Sequence, residues 1–275
     1  MDLASFSLLA GAETPSQLRT QLSGIAGSIS LACWLVLLLP QLIEQWRLKS
    51  AEGISPLFLL FWTLGDILNL AGALWAGLLP QVILLAAWFA VADAFTLAFY
   101  YYYTYVYPKR RQPERTPLLT DTPRRKSSTI EDIVLQPQNH SVLVRYVLPL
   151  LAVFVAGIIG YLCSSPAKKQ PDIELAIGPQ ICGYLSAALY LSARLPQIYQ
   201  NYTKKSCRGL SLLFFMLSTL GNVTYGLQIL FYRSDWDYVV LNSSWLLGSL
   251  GTIAEDLVIF AQFYMYKNSE TAVLE

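Results

Sequence analysis

Three carboxylates stand inside long apolar runs: Asp66 in FWTLGDILNLAG, Asp93 in WFAVADAFTLAF and Asp256 in SLGTIAEDLVIF. An isolated carboxylate at such a place costs several kcal/mol in hydrocarbon, about 3 on lenient scales. Each must therefore bind a cation, exchange a proton or hydrogen-bond a neighbouring helix. Asn69 follows Asp66 by three residues and shares its face on a helix. Asn222 and Tyr225 repeat that spacing later in the chain. Together Asp66, Asn69, Asn222 and Tyr225 could hold a solute with a positive end and a polar end. Asp66, Asp93 and Asp256 are the candidates for coupling to protons, with a purely interhelical hydrogen bond as the alternative for each. Glu255, adjacent to Asp256, must point to another face.

The elements that position these groups are membrane spans. Of 275 residues, 55% are hydrophobic and only 13% charged, about half the charge of a soluble domain. Apolar stretches of about 20 residues, the length that crosses a bilayer, fall near 24–46, 56–78, 81–105, 142–163, 177–200, 210–232 and 241–266. The net charge of +1 gives no electrostatic case for nucleic acid. Cys33, Cys163, Cys182 and Cys207 lack metal-ligand spacing and read as small apolar filler. His140 stands alone in a polar loop, so neither metal nor cofactor is expected. No basic start precedes the first apolar run, which argues against a cleaved signal peptide.

The chain repeats itself. With Pro40 set on Pro196, an offset of 156 residues, twelve of the twenty-eight positions from Leu39 to Asp66 are identical without a gap. Shared hydrophobicity can match leucines. It cannot match Leu39-Pro40-Gln41, Lys49-Ser50, Gly53, Ser55 and Thr63-Leu64-Gly65 to their partners Leu195-Pro196-Gln197, Lys205-Ser206, Gly209, Ser211 and Thr219-Leu220-Gly221. This is an internal duplication. Three spans per copy would leave the second copy inverted, and the span 142–163 restores the direction. The expected fold is all-α: seven transmembrane helices as two parallel three-helix repeats joined by a linker helix, a 3+1+3 order. Its parts are an N-terminus over 1–23, a first repeat over 24–105, a disordered loop over 106–141, the linker helix over 142–163, a second repeat over 177–266 and a C-terminus over 267–275.

These residues resemble the PQ-loop repeat family. Within it they are most similar to the lysosomal and vacuolar cationic amino-acid exporters, on Gly65-Asp66 with Asn69, Ala92-Asp93, Gly221-Asn222 with Tyr225-Gly226, and Trp245, Gly248-Ser249-Leu250-Gly251 and Asp256. The resemblance implies a transporter, not an enzyme, that exports Lys, Arg or His from an acidic lumen to the cytosol. It also implies prolines acting as hinges for alternating access. A proline within a helix removes one backbone hydrogen bond and clashes with the preceding turn. The carbonyls freed would be those of Val36 and Ser192, with the Gln41 and Gln197 amides nearby as substitutes. A static kink is the alternative. Asp66, Asn69, Asn222, Tyr225 and Trp245 are the expected substrate contacts. Trp62, Trp75 and Trp88, like Trp245, could offer cation–π faces, with packing or lipid contact as the expectation for most of them. A sugar or other small-solute carrier of the same family, or a seven-helix nutrient-sensing receptor or scaffold, are the other readings. A neutral sugar needs no carboxylate at depth.

Lys and Arg set the orientation. One side holds Arg47, Lys49, the run from Lys109 to Lys126, Arg145, Lys204, Lys205, Arg208 and Lys267; the other holds Arg19, Lys168, Lys169 and Arg233. The first is expected to be cytosolic, with a luminal N-terminus and a cytosolic C-terminus. Lys49 and Lys205 then serve topology and head-group contact, Arg194 is expected to reach head groups, and Tyr100 to Tyr107 form an interfacial belt. Gly53 and Gly209 let the chain turn. Ser55 and Ser211 read as helix N-caps, the first ahead of Pro56. ERTPLL, with Glu114 three residues before Leu118 and Leu119, reads as an acidic dileucine signal for a sorting adaptor. That address is a vacuolar or lysosomal membrane. The acceptor sequences Asn201-Tyr202-Thr203 and Asn242-Ser243-Ser244 fall at the cytosolic side or too near the membrane for glycosylation.

Overall fold

A computed structural model of the chain describes residues 15–75, 80–107, 141–164 and 177–271. The described residues are helical throughout, with short turns between. Helix α1 (Gln17–Val36) starts from Ser16, whose side chain accepts from the Arg19 backbone N–H, and so begins earlier than hydropathy alone places it. Two turn residues separate it from α2 (Leu39–Leu48). Leu37 and Leu38 keep right-handed helical dihedrals, so the pair forms one rod. Helix α3 spans Pro56–Trp75. Helix α4 spans Pro80–Tyr101 and widens into a π-helical turn over Tyr102–Val106. A second π turn, Leu143–Val147, leads into α5 (Leu148–Cys163). The remaining helices are α6 (Ile177–Lys204), α7 (Leu212–Tyr232), the short α8 (Trp236–Leu241) and α9 (Ser243–Thr271).

Five of these, α1 with α2, α3, α5 with its π turn, α7 and the Leu246–Tyr266 part of α9, are long and apolar enough among the described residues to cross a membrane. Helix α6 is more polar for a local reason. Tyr190, Arg194, Gln197 and Asn201 recur along it at helical spacing, and the last three are almost wholly buried. Its polar stripe faces the protein, not lipid.

Packing follows the repeat. Helix α1 lies along α7, and α3 lies along α6; α3 also packs on α4, α9 on α6 and α7, and α5 on α1. Small residues permit the close seams. Ser23, Ala26, Ser30 and Cys33 are the buried stripe of α1. The Ser30 hydroxyl donates to the Gly221 carbonyl (2.9 Å) and that of Ser23 to the Gln228 carbonyl (2.8 Å). A Cβ on Gly157 of α5 would lie 2.5 Å from the Ile29 Cα, so glycine is needed there for α5 to reach α1. Ser55 and Ser211 cap α3 and α7, accepting from the Phe58 and Phe214 backbone N–H groups, as their sequence places them.

Candidate functional site

Each Pro–Gln turn reaches into the other repeat. The Gln41 side-chain amide donates to the Gly209 carbonyl (2.9 Å), and its oxygen accepts the Ser211 backbone N–H (2.9 Å). At the equivalent positions, the Gln197 amide donates to the Gly53 carbonyl (3.0 Å) and its oxygen accepts the Ser55 N–H (2.7 Å). Both glutamines are buried, and the four bonds satisfy turn groups that would otherwise be stranded. The expectation that these amides serve the carbonyls freed by their own prolines is corrected: the glutamine lies one residue beyond proline and points across the interface. The two turns touch. A Cβ on Gly53 would lie 2.4 Å from the Gly209 carbonyl carbon. Of these two glycines Gly209 alone has positive φ, at +88°, so Gly53 is required for close approach and not for its turn.

Inward from that contact the Phe58 and Phe214 rings, again equivalent residues, meet at 6.2 Å, with Trp62 5.4 Å from Phe214. All three are buried. Glutamine bonds, glycine contact and aromatic rings thus close this end of the bundle.

Eight residues further along α3, about 12 Å at helical rise, lies Asp66. It is buried, and accepts a hydrogen bond from the Tyr190 hydroxyl of α6 at 2.5 Å. The Asp93 carboxyl of α4 faces those of Asp66 and the Thr63 hydroxyl. Asp93 is 3% exposed, and its Oδ2 has no hydrogen-bond partner among the described residues. Three helices thus bring two carboxyl groups and a phenol to one point. Gly65 makes this possible, since a Cβ there would lie 2.6 Å from the Tyr190 ring. In the second copy the indole of Trp34 sits beside Gly221 in the same way, 3.4 Å from where a Cβ would be. The repeated Thr-Leu-Gly is therefore a socket for an aromatic ring from the opposite repeat.

Asn69 lies one turn beyond Asp66 on α3 and is half-buried, as is Tyr225 on α7; Asn222 is buried and donates to the Ser218 carbonyl of its own helix. Trp245 sits in the first turn of α9, and its side chain lies outside the described residues. So do Glu114, Leu118 and Leu119. Pro40 lies in the first turn of α2 and Pro196 within α6.

Arg194 is a correction. It is 1% exposed and does not reach head groups. Its Nε lies 3.4 Å from Asp256 Oδ1, its Nη2 donates to the Ser218 hydroxyl (2.9 Å), and its guanidinium lies 5.3 Å from the Trp62 ring. A buried charge requires such partners, and Asp256, a proton-coupling candidate, is its counter-ion. Composition had no signal for this pair. The two lie sixty-two positions apart and meet through the packing of α9 on α6. Tyr190 is likewise not singled out by the sequence; the repeated Thr-Leu-Gly, which by itself reads only as homology, is its one signal.

The PQ loop repeat is matched twice, at residues 22–82 and 179–238. The chain is 35% identical to the vacuolar lysine transporter YPQ1 of Saccharomyces cerevisiae over 298 aligned positions, covering 93% of this chain and 97% of that one. The chain belongs to the PQ-loop repeat family. Further relatives are the vacuolar histidine transporter YPQ3 of the same yeast, 35% identical over 89% of this chain and 92% of its own, and the human lysosomal amino acid transporter 1 homolog, 31% identical over 90% and 83%. The glutamine clamp and the carboxyl pair lie on or beside the two PQ-loop segments. Asp93 and Asp256 lie past the ends of the matched ranges.

Proposed function

We propose that this protein is a carrier that moves a cationic amino acid, lysine, arginine or histidine, from the lumen of a vacuole or lysosome to the cytosol. The observation that carries the reading is the carboxyl pair of Asp66 and Asp93, buried where α3, α4 and α6 meet, with one oxygen lacking a partner. Two carboxyl groups there suit an ammonium or guanidinium. Asn69, Asn222, Tyr225 and Trp245 offer amide, hydroxyl and ring contacts to the amino-acid end. The names of the relatives, transporters of lysine, histidine or lysosomal amino acids, support the substrate class and the membrane.

The mechanism is alternating access between two parallel three-helix repeats with α5 as the linker. The partners α1 with α7 and α3 with α6 exchange at the 156-residue offset, which supports a two-fold relation between the repeats. The Pro–Gln end is cytosolic and closed in this conformation. Opening it breaks the Gln41 and Gln197 bonds and parts Gly53 from Gly209, with Pro40 and Pro196 as hinges. Asp66 and Asp93 take part in proton coupling, while Asp256 holds Arg194. The N-terminus is luminal and the C-terminus cytosolic. A sorting adaptor reads Glu114, Leu118 and Leu119; replacing both leucines with alanine is expected to misroute the protein, and continued delivery to the vacuole or lysosome would remove that assignment.

The test is efflux from proteoliposomes loaded with arginine, lysine, histidine or glucose, with and without an inwardly or outwardly directed proton gradient. Loss of a cationic amino acid and retention of glucose is the expected result. Efflux of glucose alone would make the protein a sugar carrier. Efflux indifferent to the gradient would remove proton coupling.

A further inference from the structure

The two lysines after the Pro–Gln helices share a feature that transport does not use. Lys49 and Lys205 occupy equivalent positions, and both have left-handed backbone, with φ of 52° and 48°. They are the non-glycine residues with positive φ among those described. A side chain makes this conformation costly, and glycine or asparagine is the usual occupant. Both copies nevertheless carry lysine, and strain kept at matched places points to a use for the side chain.

The two ammonium groups are held alike. Lys49 Nζ lies 4.4 Å from the Trp46 ring and 6.0 Å from that of Tyr103; Lys205 Nζ lies 3.5 Å from the Tyr202 ring and 5.8 Å from that of Tyr266. Trp46 and Tyr202 are themselves equivalent and exposed, whereas Tyr103 and Tyr266 are buried on the third helix of each copy. Each charge therefore rests between an outer and an inner ring, facing outward. Among the described residues neither ammonium has a carboxylate within ion-pair distance, although Arg47, Arg194 and Arg233 each do. Beneath Lys205 a groove of about 470 Å³ runs between α6 and α9, walled by Leu195, Val258, Ala261 and Met265. Its volume and mostly apolar walls suit an acyl chain, with Lys205 among its lining residues.

We propose that Lys49 and Lys205 head two matched sites for an anionic phospholipid, the phosphate on the ammonium and, at Lys205, an acyl chain in the α6–α9 groove. Cation and ring hold the head group at interfacial depth. The proposal stands apart from the transport reading, since lipid retention is measured without substrate.

The test uses the purified full-length protein in phosphatidylcholine nanodiscs with or without 20% phosphatidylserine, about the charge of an ordinary cytosolic leaflet. Retained phosphatidylserine is counted by native mass spectrometry, and energy transfer from Trp46 to a dansylated phosphatidylserine is followed. The wild type is expected to retain phosphatidylserine over phosphatidylcholine. Lys49→Asn and Lys205→Asn, which keep a residue suited to left-handed backbone, should each weaken retention about fivefold, and the pair should compound. Lys205→Arg should keep it. Arg208→Gln, an exposed charge at the same end, should leave it unchanged. Inorganic phosphate at equal ionic strength should not compete. Undiminished retention by the double variant, equal retention of both lipids by the wild type, loss of retention with Arg208→Gln, or displacement by inorganic phosphate would each overturn the proposal. A double variant with wild-type melting temperature shows that the loss is not unfolding.

Discussion

The two repeats agree at one depth and disagree at another. At the Pro–Gln end the clamp residues are matched: Gln41 and Gln197, Gly53 and Gly209, Ser55 and Ser211, Phe58 and Phe214. Deeper in, the first copy places Asp66, Asp93 and its guest Tyr190 where the second has Asn222, Ser249 and Trp34. The second copy in turn places Arg194, Ser218 and Asp256 where the first has Leu38, Trp62 and Tyr100. The clamp is thus paired between the repeats and the charges are not. On the transport reading proposed above, paired contacts make and break together, and an asymmetric interior gives a solute with unlike ends one way to lie. The replacements are also matched in size: Ser218 stands where Trp62 would be, and the space it leaves is taken by the Arg194 guanidinium.

The largest effect tests that exchange directly. Arg194→Leu strands Asp256, which is 0% exposed, and is expected to cost about 3–5 kcal/mol of stability. Adding Ser218→Trp and Asp256→Tyr rebuilds the apolar set of the first copy and should recover more than half of that loss. Thermal unfolding of the purified protein measures both. A triple variant no better than Arg194→Leu would mean that the two places are not interchangeable, and the two-fold frame would lose its main energetic support.

Next comes the carboxyl pair. Asp66→Asn gives the first copy the residue of the second. It is expected to lower kcat/KM for lysine or arginine efflux by at least about 30-fold, the effect of removing one partner from a buried charged contact, with folding intact. The exchanged variant, Asp66→Asn with Asn222→Asp, should stay impaired, because Asp93 has Ser249 as its counterpart and no second carboxyl would stand beside the new one. Wild-type efflux in Asp66→Asn would detach the site from transport. Full activity in the exchanged variant would show that one carboxylate on either side suffices.

The sequence makes the frame readable because a duplication repeats its constraints. Proline, glutamine, glycine and serine at fixed offsets carry backbone demands that hydrophobic matching cannot mimic, and the α3 and α7 caps fall where Ser55 and Ser211 put them. The aspartates are legible as costly residues in apolar runs. Their partners are not. Tyr190 is 124 residues from Asp66, and Arg194 is sixty-two from Asp256. Such pairings depend on which helices neighbour one another, which periodicity does not report. Arg194 near a helix end looks like an interfacial cation by position alone; the packing of α9 and α3 around it makes it a core residue. Gln41 and Gln197 mislead for a similar reason, since proximity along the chain suggests their own helix while their geometry serves the other.

A smaller difference separates the two glutamines. Gln41→Leu and Gln197→Leu each remove two bonds between repeats, and each should cost about 1–3 kcal/mol, the penalty of leaving turn groups unsatisfied. Gln197 also donates to Asn201, which donates to Gln262, so its loss should be the greater. In either variant a cysteine introduced at Ser50 or Ser206 should react faster with a membrane-impermeant maleimide than in the wild type. Equal rates would mean that the clamp does not hold this end shut.

The smallest expected effect concerns the prolines, where the copies are matched in sequence but not in shape. The helix is interrupted at Leu37 and Leu38 ahead of Pro40, whereas α6 runs through Pro196 unbroken. Alanine at either place supplies the missing N–H and can restore one backbone bond, to Val36 or Ser192, worth about 0.5–1.5 kcal/mol. A static kink would show that gain in the melting temperature with no change in transport. A hinge would lose motion, so each variant should transport about two- to fivefold more slowly at unchanged KM, 0.4–1 kcal/mol on the barrier. The break at Leu37 means that the helix ladder is already open beside Pro40. Pro40→Ala should therefore slow efflux more than Pro196→Ala, and the double variant should approach their product if the two tips swing independently. A double variant no slower than Pro40→Ala alone would mean that one tip moves and the other is carried with it.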